Sequence, residues 1–100
     1  MDFTAVIAGT DMVALGALAA LRDTGLKAPP SDVSVIGFDD VPFATDLAPS
    51  LTSIRVPYEG LGRTAVRLAL ESTERISGDD HVVLGSRLVI RQSVRTGAPS

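Results

Sequence analysis

One hundred residues with a formal net charge of −3 and a pI near 4.9 suit one small domain or a piece of a larger one, and argue against a nucleic-acid-binding surface in this segment. Cysteine is absent, which excludes disulfide and thiolate chemistry and leaves the compartment undecided by redox. A hydrophobic share of 45% with mean hydropathy +0.28 is high for a free-standing domain of this size and predicts surface that expects a partner.

The start, Met1-Asp2-Phe3, lacks the basic opening of a signal peptide and leads straight into a strand. Phe3 to Ala8 is a near-continuous apolar, β-branched run of the kind buried parallel strands show. Thr10 or Asp11 then caps a helix whose apolar stripe is Met12, Leu15, Leu18 and Ala19. Gly16 among Ala14, Ala17 and Ala20 predicts a close-packed helix face, and Gly25 followed by Leu26 is a C-terminal stop. Pro29 to Asp32 is a turn feeding a second strand, Val33 to Phe38. Residues 41–50 carry Pro42 and Pro49 and read as a loop with one helical turn. Leu51 to Val56 is a third strand, stopped by Pro57.

From Tyr58 to about Ile76 a second helix follows, with Leu61, Ala65, Leu68, Ser72 and Ile76 along one side. Arg67, Glu71 and Arg75 stand at i, i+4 steps on a solvated face, and Ser77 to Asp80 ends the helix. His81 to Leu84 and Arg87 to Gln92 are the last extended segments, ahead of a loose tail. No apolar run approaches the ~18 residues of a membrane span.

Strand, helix and strand in this order make a βαβ unit, so the fold class is α/β with a parallel sheet. Ligands of such sheets bind outside the carboxyl ends of the strands, which is where Thr10, Asp11, Asp39 and Asp40 fall. Asp39 at a strand end is suited to accept charge-assisted hydrogen bonds from the vicinal hydroxyls of a polyol. Thr10 can offer a hydroxyl beside it, and Tyr58 an aromatic face for a sugar ring. At Asp39 ligand contact outweighs a turn role; at Asp11 and Asp40 a cap or turn role outweighs ligand contact.

Catalytic patterns fare worse. His81 is the single histidine, set before a strand beside two acids, so a hydrolytic triad cannot be assembled. With no cysteine and no paired histidine there is no tetrahedral metal set. Gly60-Leu61-Gly62-Arg63-Thr64-Ala65 fits G-x-G-x-x-A, but a dinucleotide site also needs an acid at the end of the next strand. Asp79 and Asp80 precede that strand instead. The glycines therefore read as helix entry and close packing.

Gly9 to Gly16, Gly25-Leu26, Pro30 to Asp40, Ala48 to Ile54, Gly62 to Ala65 and Leu88 to Ser93 together resemble, in order and spacing, the LacI/GalR family of bacterial transcriptional regulators. The resemblance implies part of a doubly wound, periplasmic-binding-protein-like effector domain. It assigns residues 1–54 to the C-terminal lobe and 55–58 to a hinge crossing. It assigns 59–80 to a helix packing on the N-terminal lobe, 81–93 to the return and 94–100 to a tail. It further implies a small-molecule effector of the sugar class and no cofactor, metal or catalysis. A homodimer in the cytoplasm, away from membranes, would contact DNA only through an N-terminal domain outside these residues.

Asp39 matches the acid that holds the effector in that family, and Thr10 falls where Asn is usual. Val56 and Tyr58 match hinge positions facing the cleft, with Val56 replacing a commonly polar residue. Gln92 replaces a common acid near the chain end. Leu15 and the loop from Phe43 to Leu47 resemble the family's dimer surface. The alternatives are a periplasmic sugar-binding protein of the same fold and an α/β enzyme using the G-x-G-x-x-A turn.

Overall fold

The computed structural model describes residues 3–25, 28–71 and 81–95. The elements are β1 (Ala5–Ile7), α1 (Asp11–Thr24), β2 (Ser34–Ile36), a single 3-10 turn (Pro42–Thr45), β3 (Ser53–Arg55), α2 (Tyr58–Glu71) and β4 (Arg87–Val89). The chain divides into two compact units, residues 1–55 with 87–100, and residues 56–86.

In the first unit β1 and β2 pair in parallel, Val6 opposite Val35, with α1 as the crossover. Parallel bridges at Ile36–Thr52 and Asp39–Arg55 join β2 to β3. β4 then pairs antiparallel to β3, Ile54 opposite Leu88. The sheet is thus mixed, with parallel strands where the sequence pattern places them. Its last pair runs antiparallel because the chain leaves this unit at Arg55 and re-enters at Arg87, and these two residues are register partners.

Ala8, Ala14, Leu18, Val35, Ala44 and Leu51 form the core, with Val6, Leu21 and Leu47 packed against it. Three of these are alanines, and the large volume comes from Leu51, which has no exposed surface. Burying a leucine completely contributes about 1.5–3 kcal/mol.

Thr10 is the N-cap of α1, its Oγ1 accepting the Val13 N–H at 3.2 Å. Gly25 is the C-cap at φ 66°, its N–H donating to Leu21 O at 3.1 Å. The inward stripe is Asp11, Ala14, Leu18 and Leu21, which shares only Leu18 with the predicted one. Met12 and Val13 are exposed, and Leu15 and Ala19 are half-buried. The cause is Asp11, whose carboxylate is drawn inside by hydrogen bonds and sets the helix rotation; the 3.6 period then selects residues 14, 18 and 21. Gly16 consequently faces outward, with no atom within 4 Å of where a Cβ would lie, so its face is not close-packed. The β strands are shorter than predicted, and β1 is not buried on both sides, since Ile7 is 79% exposed. Among the described residues β1 has β2 as its one strand neighbour, which leaves its outward side chains uncovered.

In the second unit no residue of α2 is buried. Leu68 is half-buried, while Leu61, Ala65, Val66 and Leu70 are exposed. Arg63 pairs with Glu59 at 2.9 Å and Arg67 with Glu71 at 3.5 Å, both exposed i, i+4 pairs worth a few tenths of a kcal/mol. Gly60 and Gly62 lie inside the first turns of α2 rather than in a loop before it. A Cβ at Gly60 would be in ordinary contact with Leu84 and one at Gly62 would meet nothing, so neither glycine serves close packing. Without a glycine loop ahead of the helix there is no dinucleotide cradle here. Residues 81–86 form no strand, and His81 is exposed. The expectations for Leu26, for Ser72, Arg75 and Ile76, for Ser77 to Asp80 and for residues 96–100 lie outside the described residues. No helix among the described residues is long and apolar enough to cross a membrane.

Candidate functional site

The segment Gly37-Phe38-Asp39-Asp40 leaves β2 at the carboxyl edge of the sheet, and nearly every amide in it has a fixed acceptor. Gly37 N–H donates to Thr52 O at 2.9 Å and Asp39 N–H to Ile54 O at 3.0 Å. Asp40 N–H donates to Ser53 Oγ at 3.0 Å, and Val41 N–H to Asp11 Oδ2 at 2.7 Å. The neighbouring strand end is tied in as well, Asp11 N–H donating to Phe38 O at 2.9 Å.

Asp11 is fully buried, and its second oxygen, Oδ1, accepts the Ser53 hydroxyl at 2.7 Å. It is therefore no helix cap, as the sequence suggested, because Thr10 takes that role one residue earlier. It joins α1, the β2 edge and β3 through a single carboxylate. Gly37 makes this possible: a Cβ there would collide with Asp11 Oδ1 and stand 3.0 Å from Leu51 Cδ2.

Two consecutive non-glycine residues then have positive φ, Asp39 at 113° and Asp40 at 59°. Asp tolerates such a backbone better than most residues, yet each instance costs about 1–3 kcal/mol and persists where the surroundings over-determine it. Here they do. The Asp40 side chain is 3% exposed and sits between two guanidinium groups, Arg55 Nε at 2.7 Å from Oδ2 and Arg91 Nη1 at 2.6 Å from Oδ1. The same Nη1 donates to Leu51 O at 2.7 Å, which fixes where it stands. Arg91 first, and then Arg55, hold the Asp40 carboxyl below its ordinary value of 3.8, against burial, which pushes it up. Asp40 is thus the centre of an ion-pair cluster rather than a plain turn residue.

The segment after β4 stitches β2 to β3. Ser93 is fully buried; its hydroxyl donates to Val35 O at 2.5 Å and accepts Thr52 N–H at 2.8 Å. Gln92 clasps Ser50, Ser50 N–H donating to Oε1 and Gln92 N–H to Ser50 Oγ, both at 3.2 Å. These contacts give Gln92 a structural part that its sequence context did not reveal.

Of the predicted site residues, Thr10 and Asp39 both stand at the carboxyl edge of the first unit, Thr10 exposed and Asp39 half-buried. The Thr10 oxygen is engaged as a cap, which leaves its hydroxyl hydrogen able to donate. Val56 and Tyr58 belong to the second unit, Tyr58 N–H donating to Val56 O at 2.8 Å; Val56 is half-buried and the Tyr58 ring exposed. Leu15, Phe43 and Leu47 are half-buried, Leu47 against its own core. The residues that the sequence reading passed over are Gly37, Ser53, Arg55 and Arg91. For Gly37 a signal existed, a glycine between a β-branched strand and an acid; for the arginines there was none, since 36 residues separate Arg55 from Arg91. A cavity of about 340 Å³ lies elsewhere, between the C-terminal end of α1 and Ala48-Pro49.

Residues 2–94 match the periplasmic binding protein-like domain. Among curated relatives, the HTH-type transcriptional regulator MalR of Streptomyces coelicolor is 50% identical over 70 residues, 70% of this chain and 20% of that protein. The HTH-type transcriptional repressor PurR of Pectobacterium carotovorum is 40% identical over 95 residues, 94% of this chain and 28% of that protein. Among solved structures, the transcriptional regulator CelR in complex with cellobiose superposes with a TM-score of 0.84 at 36% identity, covering 92% of this chain and 28% of that one. The lac repressor dimer bound to operator and the anti-inducer ONPF gives 0.80 at 33%, covering 93% and 32%. The chain thus spans between a fifth and a third of the length of the proteins it matches. It belongs to the periplasmic binding protein-like family, in the form that serves as the effector-binding domain of LacI/GalR-type transcriptional regulators.

Proposed function

We propose that this chain forms part of the sugar-sensing domain of a dimeric, cytoplasmic transcriptional regulator and catalyses no reaction. The observation that carries the reading is Asp39, half-buried at the carboxyl edge of β2 on a backbone held at φ 113°. A carboxylate fixed in this way accepts hydrogen bonds from two vicinal hydroxyls without first paying to order its own backbone. Thr10 donates a further hydrogen bond from the end of β1. In the second unit, Tyr58 offers an aromatic face to a sugar ring and Val56 an apolar contact. The cellobiose carried by CelR, a structural neighbour, supports the sugar class. Leu15, Phe43 and Leu47 are proposed to meet a second copy, and DNA would be read by a separate domain. An effector that favours one arrangement of the dimer shifts its population and so changes operator affinity.

The test is calorimetric titration of cellobiose and lactose into the complete regulator. Asp39→Ala should weaken binding by about 1–3 kcal/mol, the loss of charge-assisted hydrogen bonds to the ligand. Affinity equal to that of the unaltered protein would overturn the reading.

A further inference from the structure

The acid next to the proposed anchor has a buried side chain held by two arginines. The Asp40 side chain lies 3% exposed between Arg55, at the end of β3, and Arg91, after β4, and its N–H is held by Ser53. Ser53 in turn donates to Asp11, which accepts from Val41. The two positive-φ residues are therefore bracketed on both sides, by Ile54 O on the Asp39 amide and by Asp11 on the Val41 amide. The amide bonds fix where the chain passes. They do not by themselves hold two adjacent non-glycine residues at positive φ, which is uncommon even for Asp. The Asp40 carboxylate does, because it is itself buried and moving it would leave Arg91, whose side chain is only 12% exposed, without its anion.

We propose that Asp40 is a positioning residue, whose ion pairs with Arg55 and Arg91 hold the left-handed Asp39–Asp40 pair and so set the direction in which Asp39 presents its carboxylate. The inference rests on reading Asp39 as the effector anchor. Arg91, after β4, and Arg55, at the end of β3, are thereby part of the binding apparatus without touching ligand.

The test pairs a ligand-free readout with a binding one. Residue-resolved amide exchange in the full chain should show the Asp39 and Asp40 amides exchanging at least about tenfold faster in Asp40→Asn, relative to Ala14 and Leu18 in α1 of the same sample. Arg91→Gln should do the same, and Arg91→Lys, which keeps the charge, should stay near the unaltered protein. A general loss of stability would raise all four amides together, so the ratio isolates the tip. Unchanged ratios in Asp40→Asn and Arg91→Gln overturn the proposal, whatever the chain binds. In the complete regulator titrated with cellobiose, Asp40→Asn should weaken binding about tenfold, in the same direction as Asp39→Ala. Affinity lost in Asp39→Ala but kept in Asp40→Asn overturns the positioning role and leaves the anchor standing. Affinity kept in Asp39→Ala overturns the anchor, and the exchange ratios alone then decide whether the clamp holds the tip.

Discussion

The two units of this chain treat their polar residues in opposite ways. In the first, Asp11, Thr52, Ser53 and Ser93 are buried alongside the apolar core, and the network around them joins α1, β2, β3 and the segment after β4. In the second, α2 buries nothing, its ion pairs are exposed, and Val66 and Leu70 are 60% and 71% exposed. The high hydropathy of the chain is therefore not an oversized core. It is a modest core in the first unit plus apolar surface on both, Ile7, Met12 and Val13 in the first as well as Val66 and Leu70 in the second. A buried polar network is costly to leave half-satisfied and so defines one conformation, whereas solvated i, i+4 pairs define little.

Substitutions sharpen that contrast, and the largest effect is expected at Asp11. Asp11→Ala strips acceptors from the Ser53 hydroxyl and the Val41 N–H, so unfolding free energy should fall by roughly 2–5 kcal/mol in denaturant titration. A change below about 1 kcal/mol would mean that the network is not what joins these elements. Gly37→Ala should cost about 1–3 kcal/mol by overpacking, since the methyl would press on Asp11 and Leu51. Thr10→Ala removes a helix cap and should cost about 1 kcal/mol in the same measurement. At the small end, Leu70→Gln on the exposed face of α2 should fall within about 0.5 kcal/mol of the unaltered chain.

Acid gives another handle on the same contrast. The folded-state pKa of Asp40 is lowered, so its ion pairs contribute stability that is fully present above the unfolded-state value near 3.8 and is lost as pH falls through the lower folded value. Acid titration followed by amide exchange should loosen Asp39 and Asp40 only below about pH 4. Asp40→Asn should abolish that pH dependence. Loosening of the tip already between pH 5 and 7 would contradict the clamp.

Much of the first unit could be read from residues close in sequence. The βαβ order, the Gly25 stop, the short helical turn at Pro42 and the placement of Thr10 and Asp39 at a strand edge all follow from local pattern. The orientation of α1 did not, because a pattern search counts Asp11 as polar and outward, whereas two hydrogen bonds to partners 30 and 42 residues away draw it inside. Asp40 escaped for the same reason: its partners Arg55 and Arg91 become neighbours only once β3 and the segment after β4 lie beside β2. At α2 the start at Tyr58 was legible, and with it the place of both G-x-G-x-x-A glycines inside the helix; that neither is close-packed was not.

Whether Asp39 anchors the effector is decided by a crystal structure of the complete regulator with its bound sugar. Two sugar hydroxyls should lie within about 2.5–3.0 Å of the Asp39 carboxylate, with Asp40 still between Arg55 and Arg91. A sugar seated with no hydroxyl inside about 4 Å of Asp39 would contradict that role.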